Sequence, residues 1–228
     1  MSETLFDLSE QYEEMLRMGV SLSGEDPSYF MGARVDDLRR NLPRAWNPSR
    51  ILDFGCGTGE TAAHLAKTFP GSTVVGVDTS ENALELAKQR HGTPGIRFTV
   101  LESLEDEAPF DLCYVNGVFH HIEPPERPAA VRAIFKSLAP GGHFALFENN
   151  PWNPGTRMVM RRIPFDRDAV TLSHLETRTL LRQGGFKISG STRFLFYFPR
   201  FIRFMRIIEP ALTGLPLGAQ YYVTGVKP

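Results

Sequence analysis

The stretch Ile51-Leu52-Asp53-Phe54-Gly55-Cys56-Gly57-Thr58-Gly59-Glu60 decides the fold. The apolar run from Arg50 to Phe54, bounded by Pro48 and the glycines, has the length of a buried strand. Three alternating glycines follow, and Thr61 to Lys67 reads as a helix. Strand, glycine-rich turn and helix make the geometry in which backbone N–H groups at a helix N-terminus face a ligand. Glycine suits such a turn because a side chain would keep the ligand from the backbone. The spacing then selects among ligands. A dinucleotide fingerprint, Gly-x-Gly-x-x-Gly, needs its last glycine at position 60, where Glu60 stands. A carboxylate there repels a pyrophosphate, which disfavours a nicotinamide oxidoreductase. No Gly-Lys-Ser/Thr follows, so the stretch is not a P-loop.

Composition sets the outer bounds. A chain of 228 residues can be one domain with a substantial core. Its 42% hydrophobic and 22% charged residues place it among soluble globular proteins. A formal net charge of −1 supplies no bulk attraction to nucleic acid. Two cysteines, Cys56 and Cys113, have no Cys or His partner at zinc-ligand spacing, so they read as reduced thiols of a cytoplasmic protein with no metal. The start, Met1 to Asp7, is acidic and unlike a signal peptide.

Outward from the glycine turn, β and α patterns alternate. Upstream, residues 3 to 18 and Tyr29 to Leu42 read as amphipathic helices, the second stopped by Pro43. Downstream, Thr73 to Val77 is a β-branched run ending at Asp78, and a helix capped by Ser80 runs to Arg90. A third strand, Ile96 to Leu101, leads into Glu102-Ser103. A fourth, Phe110 to Val115, leads into Asn116-Gly117-Val118-Phe119-His120-His121-Ile122. A helix from Pro128 to Leu138 precedes the turn Leu138-Ala139-Pro140-Gly141-Gly142 and a fifth strand, His143 to Phe147, ending at Glu148. This alternation predicts an α/β fold with a parallel sheet and helices on both faces. Ligands of such sheets bind outside the C-terminal ends of the strands.

The string Asp53-x-Gly55-x-Gly57-x-Gly59, with Asp78 and the Leu138-x-Pro140-Gly141-Gly142 turn, resembles the class I S-adenosylmethionine-dependent methyltransferases of small-molecule type. The resemblance is continuous from Arg50 to Glu148. It implies a Rossmann-like, mostly parallel sheet of seven strands, with an antiparallel last strand at Gln220 to Val226 and an insertion before it. It also implies one domain: a helical lid over 1–45, a cofactor core over 46–150 and a substrate side over 151–228. The implied cofactor is S-adenosylmethionine, released as S-adenosylhomocysteine, with no metal. By the resemblance Asp53 faces the amino-acid end of the cofactor, and Gly55, Cys56 and Gly57 form the backbone it approaches. Asp78, with Thr79, takes the ribose hydroxyls, which a carboxylate can accept together. Glu102 and Ser103 meet the adenine, Asn116 leaves the fourth strand beside the cofactor, and Tyr29 and Arg34 reach in from the lid.

Val118-Phe119-His120-His121-Ile122 is similar to a segment of plant small-molecule O-methyltransferases in which a His at the position of His120 removes the acceptor's proton. There a Glu matching Glu148 flanks that His. On that likeness His120, His121 and Glu148 are the expected catalytic group, with His120 as general base. The chain departs from those enzymes in having His121 where they carry Asp. The string Asn150-Pro151-Trp152 resembles the amine-gripping motif of DNA amino-methyltransferases, but it follows the fifth strand instead of the fourth, which argues against nucleobase methylation.

The acceptor side is less legible. Arg157, Arg161, Arg162 and Arg167 would suit an anionic small molecule. Residues 194–217 interleave Phe194, Phe196, Phe198, Phe201 and Phe204 with Arg200, Arg203 and Arg206. Spaced three apart, the arginines would share one face of a helix from Pro199. That segment reads as a core-packing insertion with snorkelling arginines, or as a surface for an apolar acceptor or a membrane. A cofactor-binding scaffold without catalysis is the competing non-enzymatic reading. Oligomeric state is not encoded in any motif.

Overall fold

A computed structural model describes residues 18–107, 109–163, 166 and 169–228. The helix expected over residues 3–18 lies almost wholly outside the described residues, as does Arg167. Strands β1 (Arg50–Phe54), β2 (Thr73–Asp78), β3 (Ile96–Val100), β4 (Phe110–Asn116), β5 (Leu138–Asn149), β6 (Lys187–Leu195) and β7 (Gln220–Val226) form one sheet. Its order is β3-β2-β1-β4-β5-β7-β6. The pairs from β3 through β5 are parallel, and β7 runs antiparallel to both of its neighbours. Strand order reverses beside β1, which sits between β2 and β4; this is the switch point where a crevice opens.

Helices α1 (Pro27–Asn41), α2 (Glu60–Thr68), α3 (Glu81–His91), α4 (Arg127–Ser137), α5 (Pro154–Met160), α6 (His174–Gln183) and α7 (Glu209–Leu212) surround the sheet. Alternation along each strand splits the core into two layers. Leu52, Val75, Cys113 and Val115 face one side with Val131 of α4 and Leu181 of α6. Ile51, Val74, Leu112 and Tyr114 face the other with Val35 and Leu38 of α1 and Leu65 of α2.

Helix α1 is part of that second layer. It begins where Asp26 accepts the Ser28 N–H at 2.9 Å and Pro27 fills the first turn. On its inner face Asp37 accepts from Arg193 Nε at 2.8 Å and Nη2 at 2.9 Å, and from the Tyr222 hydroxyl at 2.8 Å. A buried ionic clamp thus fastens α1 to β6 and β7. This part of the expected N-terminal lid is a fixed wall of the domain, and only its first turns reach the crevice.

Two local expectations change. The Leu138–Gly142 stretch is not a turn between helix and strand but the bulged start of β5. Phe110 pairs with Leu138 and Leu112 with His143, so several β5 residues loop out opposite Asp111. Gly141 takes φ +78°, the left-handed conformation that such a bulge uses. The arginine-and-aromatic segment, Arg200–Ile208, forms 3₁₀ turns broken by a kink at Ile202 (φ −118°, ψ 30°). With three residues per turn, residues three apart line up in rows. Arg206 donates to Glu25 Oε1 at 2.8 Å and covers the Tyr29 ring, while Arg200 donates to Gly24 O. The apolar row Phe201, Phe204, Ile207 is 79%, 75% and 86% exposed. These rings are therefore not core packing; two of the arginines face the body of the domain and the apolar row faces outward. Among the described residues no helix is long and apolar enough to cross a membrane.

Candidate active site

The C-terminal ends of β1, β2 and β4 open on a cavity of about 1390 Å³. Its floor is the glycine turn, where Gly55, Gly57 and Gly59 take φ of +75°, +52° and +90°. The turn does not present its N–H groups to a ligand. Those of Gly55 and Cys56 donate to Val77 O, that of Gly59 to Cys56 O, and that of Gly57 to Asp78 Oδ2 at 2.8 Å. Phosphate cradles work through unpaired N–H groups, so this turn supplies close approach instead of anion binding. A Cβ on Gly57 would meet nothing within 4 Å: the space above it is open. A Cβ on Gly55 would stand 2.3 Å from Val118 Cγ2, because here the turn packs against the segment after β4.

Asp53, at the end of β1, is the most unusual wall residue. It is buried, and its Oδ2 has no hydrogen-bond partner among the described residues. Burial raises its pKa to about 8, with the Asp78 and Glu60 carboxylates adding to the rise and a hydrogen bond from the Ala62 backbone opposing it. A buried, unsatisfied carboxyl beside two more carboxylates calls for a cationic partner. Asp78 closes β2; its Oδ1 accepts the Ser80 N–H and its Oδ2 the Gly57 N–H. Both oxygens are oriented by the backbone while the residue borders the cavity, as a ribose-binding carboxylate requires. Cys56, Thr79, Glu102 and Asn116 also line the cavity, and Asn116 Oδ1 is a second buried oxygen without a partner. Arg34 reaches the same space from α1, held by its Nη1 donating to Gln220 Oε1 at 2.9 Å. Acidic side chains on the walls outnumber the cations Arg34 and Lys136.

Several expected residues lie elsewhere. Tyr29 is not a cavity residue; it stacks with Phe30, Phe196 and Arg206, because its helix face turns toward the Arg200–Ile208 insertion. Ser103 sits on a 3₁₀ turn, Leu101–Asp106, whose Leu101, Glu102 and Leu104 line the cavity while Ser103 does not. Arg157, Arg161 and Arg162 are exposed and also outside the cavity.

The expected catalytic group assembles, but in different roles. Glu148, buried at the end of β5, accepts the Phe119 N–H at 2.8 Å on Oε1 and contacts His120 Nδ1 at 2.6 Å through Oε2. His120 Nε2 lies 3.4 Å from Asp166 Oδ1. Burial pushes the imidazole's pKa down, but the Glu148 and Asp166 carboxylates outweigh that and hold it at about 10. His120 is 4% exposed and is not among the residues that border the cavity; its Nδ1 meets Glu148 and its Nε2 faces Asp166. The sequence placed His120 beside the right glutamate; the second carboxylate and the burial come from the tertiary fold, and the imidazole faces them instead of the cavity. His121, the next residue on the 3₁₀ turn Phe119–His121, does border the cavity, with Nε2 3.4 Å from Asp166 Oδ1.

Two residues of this region were not legible beforehand. Arg127 donates through Nε to Phe119 O and Ile122 O and through Nη2 to Val170 O, fixing the turn that carries both histidines. Asp166 stood in the sequence as one of two aspartates of a polar loop, and only its position across from β4 distinguishes it.

Comparison with known proteins agrees with this geometry. Residues 52–144 match the family described as methyltransferase domain. A trans-aconitate 2-methyltransferase of Methylobacterium nodulans is 35% identical over 129 residues, 56% of this chain and 48% of that protein. The chain spans about half the length of the curated relatives it matches. In fold, it is similar to a SAM-dependent methyltransferase from Archaeoglobus fulgidus, with TM-score 0.67, 14% identity, and coverage of 89% of this chain and 95% of that one. It is likewise similar to the magnesium protoporphyrin IX methyltransferase of Synechocystis, solved with bound SAH, with TM-score 0.63, 16% identity, and coverage of 94% and 86%.

Proposed function

We propose that this chain methylates a small-molecule acceptor from S-adenosylmethionine: residues 52–144 match the methyltransferase-domain family, and the fold is similar to that of a SAM-dependent methyltransferase. The observation that carries the reading is Asp53: a buried carboxyl oxygen without a partner, on the wall of a cavity floored by open glycine. The donor set fits a ligand that is cationic at one end and a nucleoside at the other. Asp53 would hold the amino-acid end together with Arg34, Gly57 would admit the body, Asp78 would take the ribose hydroxyls, and Glu102 would meet the adenine. That cofactor, when bound, supplies an activated methyl group on a sulfonium carbon.

The chain's own task is then alignment and exclusion of water, the main protein contribution to an in-line displacement. The walls after β4, Val118, His121 and Ile122, form the acceptor side in this reading. His121 is assigned there in place of His120. Glu148 and Arg127 act as positioning residues that hold the histidine turn. The acidic walls favour a neutral or basic acceptor over a polyanion, and the exposed arginines after β5 do not reach the cavity to change that. The chain covers about half the length of the relatives named trans-aconitate 2-methyltransferase, so that acceptor is not carried over.

The test is calorimetric titration of S-adenosylhomocysteine into the wild-type chain and Asp53→Ala, followed by its release across hydroxyl, amine and carboxylate acceptors. Binding in the wild type and its loss in the variant is the expected result. Equal binding in both removes the reading, and binding without turnover on any acceptor favours the scaffold alternative. The outward row Phe201, Phe204, Ile207 supports a second reading of the acceptor, as apolar or lipid-linked and met at a membrane surface. Co-sedimentation with anionic phospholipid vesicles, lost in Phe201→Ser/Phe204→Ser, checks it.

A further inference from the structure

His120, His121 and Asp166 each bring a ligand-capable atom into one cluster, and we propose that they bind a divalent first-row transition-metal ion at the edge of the cavity. One such atom from each lies within 4.8 Å of the others. Asp166 Oδ1 is 3.4 Å from Nε2 of His120 and 3.4 Å from Nε2 of His121. Two ligands on tetrahedral bonds of about 2.05 Å stand about 3.3 Å apart, so both separations equal a tetrahedral edge. Asp166 is 7% exposed, and its Oδ1 lies at ion-pair distance from both imidazoles, longer than a normal hydrogen bond.

The surroundings supply what such a site needs. Glu148 Oε2 contacts His120 Nδ1 at 2.6 Å, which places the proton there and leaves Nε2 to face the ion. Glu148 is itself oriented by the Phe119 N–H. The Arg127 hydrogen bonds fix the turn, and Val170 N donates to His120 O at 2.9 Å from the far side. Two imidazoles and one carboxylate suit zinc, cobalt(II), iron(II) or manganese(II), and they do not suit calcium. Three protein ligands leave at least one position for another donor, and His121 connects the site to the cavity wall.

That an acceptor heteroatom fills this position rests on the methyltransferase reading; the ion's binding does not. The experiment is a titration of chelator-treated full-length chain with Co²⁺ and Zn²⁺, following the visible d–d absorption of tetrahedral cobalt and the heat of zinc binding. The expected result is one ion per chain, loss of the site in Asp166→Asn and His121→Asn, and weakening of about 10–100-fold in Glu148→Gln. S-adenosylhomocysteine titration of the same samples reports folding and tests the cofactor site separately. Absence of saturable binding in the wild type overturns the proposal, and so does unchanged affinity in His121→Asn, whose partly exposed side chain can be altered without opening the core.

Discussion

Glu148 joins two consecutive residues of one turn: Oε1 receives the Phe119 N–H at 2.8 Å, and Oε2 meets His120 Nδ1 at 2.6 Å. All three residues are buried, so removing the carboxylate leaves two donors without water or partner. Glu148→Ala is expected to cost on the order of 3 kcal/mol in urea unfolding, and Glu148→Gln clearly less, because its amide oxygen still accepts one N–H. Equal midpoints for the two variants would mean that the carboxylate is not the anchor of this turn.

The glycine turn separates folding from binding within two residues. Gly57→Ala carries only the left-handed backbone penalty, about 1 kcal/mol, since its Cβ meets nothing. That methyl projects where a ligand would approach, so S-adenosylhomocysteine affinity is expected to fall at least tenfold in a chain that melts nearly normally. Gly55→Ala adds a 2.3 Å clash with Val118 and is expected to cost roughly 3 kcal/mol. Calorimetry and thermal melts of both variants check the pair.

Asp53 makes the ligand-free chain sensitive to pH. Its pKa is about 8 in the folded state against an ordinary value of 3.8, so between these the folded chain holds a proton that the unfolded chain releases. Its contribution to stability therefore declines as pH rises from about 4 to about 8 and is constant outside that window. Asp53→Asn is expected to flatten this slope and to raise the melting temperature at pH 7.5. It should also abolish binding of the cationic cofactor. Melts from pH 5 to 9 with and without S-adenosylhomocysteine decide the matter. A steeper slope in the variant would contradict the assignment.

Asp37 and Arg193 hold α1 on the sheet by two hydrogen bonds, with Tyr222 as a third donor. Asp37→Ala leaves a half-buried guanidinium and the buried Tyr222 hydroxyl without their acceptor and is expected to lose on the order of 2 kcal/mol. Asp37 does not line the cavity, so binding measured well below the melting temperature should be preserved. Loss of binding without loss of stability would show that α1 moves during function.

What the sequence by itself determined is the part written in short-range chemistry. The run Arg50–Phe54, the glycines after it, and the β-branched stretch ending at Asp78 carry their fold in periodicity and backbone permissiveness, which need no distant partner. The strands through β5 and the positions of Asp53, Asp78 and Asn116 at their ends follow from that alternation, while the count of seven and the antiparallel end of the sheet came from the resemblance to class I methyltransferases. The tertiary structure alone decided how groups far apart in the chain meet. His120 reads as a base beside Glu148 until Asp166 arrives from the other side and burial closes around it. Tyr29 reads as a cofactor contact until Phe196 and Arg206 claim its ring. The glycine turn reads as a set of N–H groups facing a ligand until Val77 and Asp78 take up those of Gly55, Cys56 and Gly57. Burial, partners and unsatisfied atoms are properties of packing between segments, and local sequence carries no record of which segments will face one another.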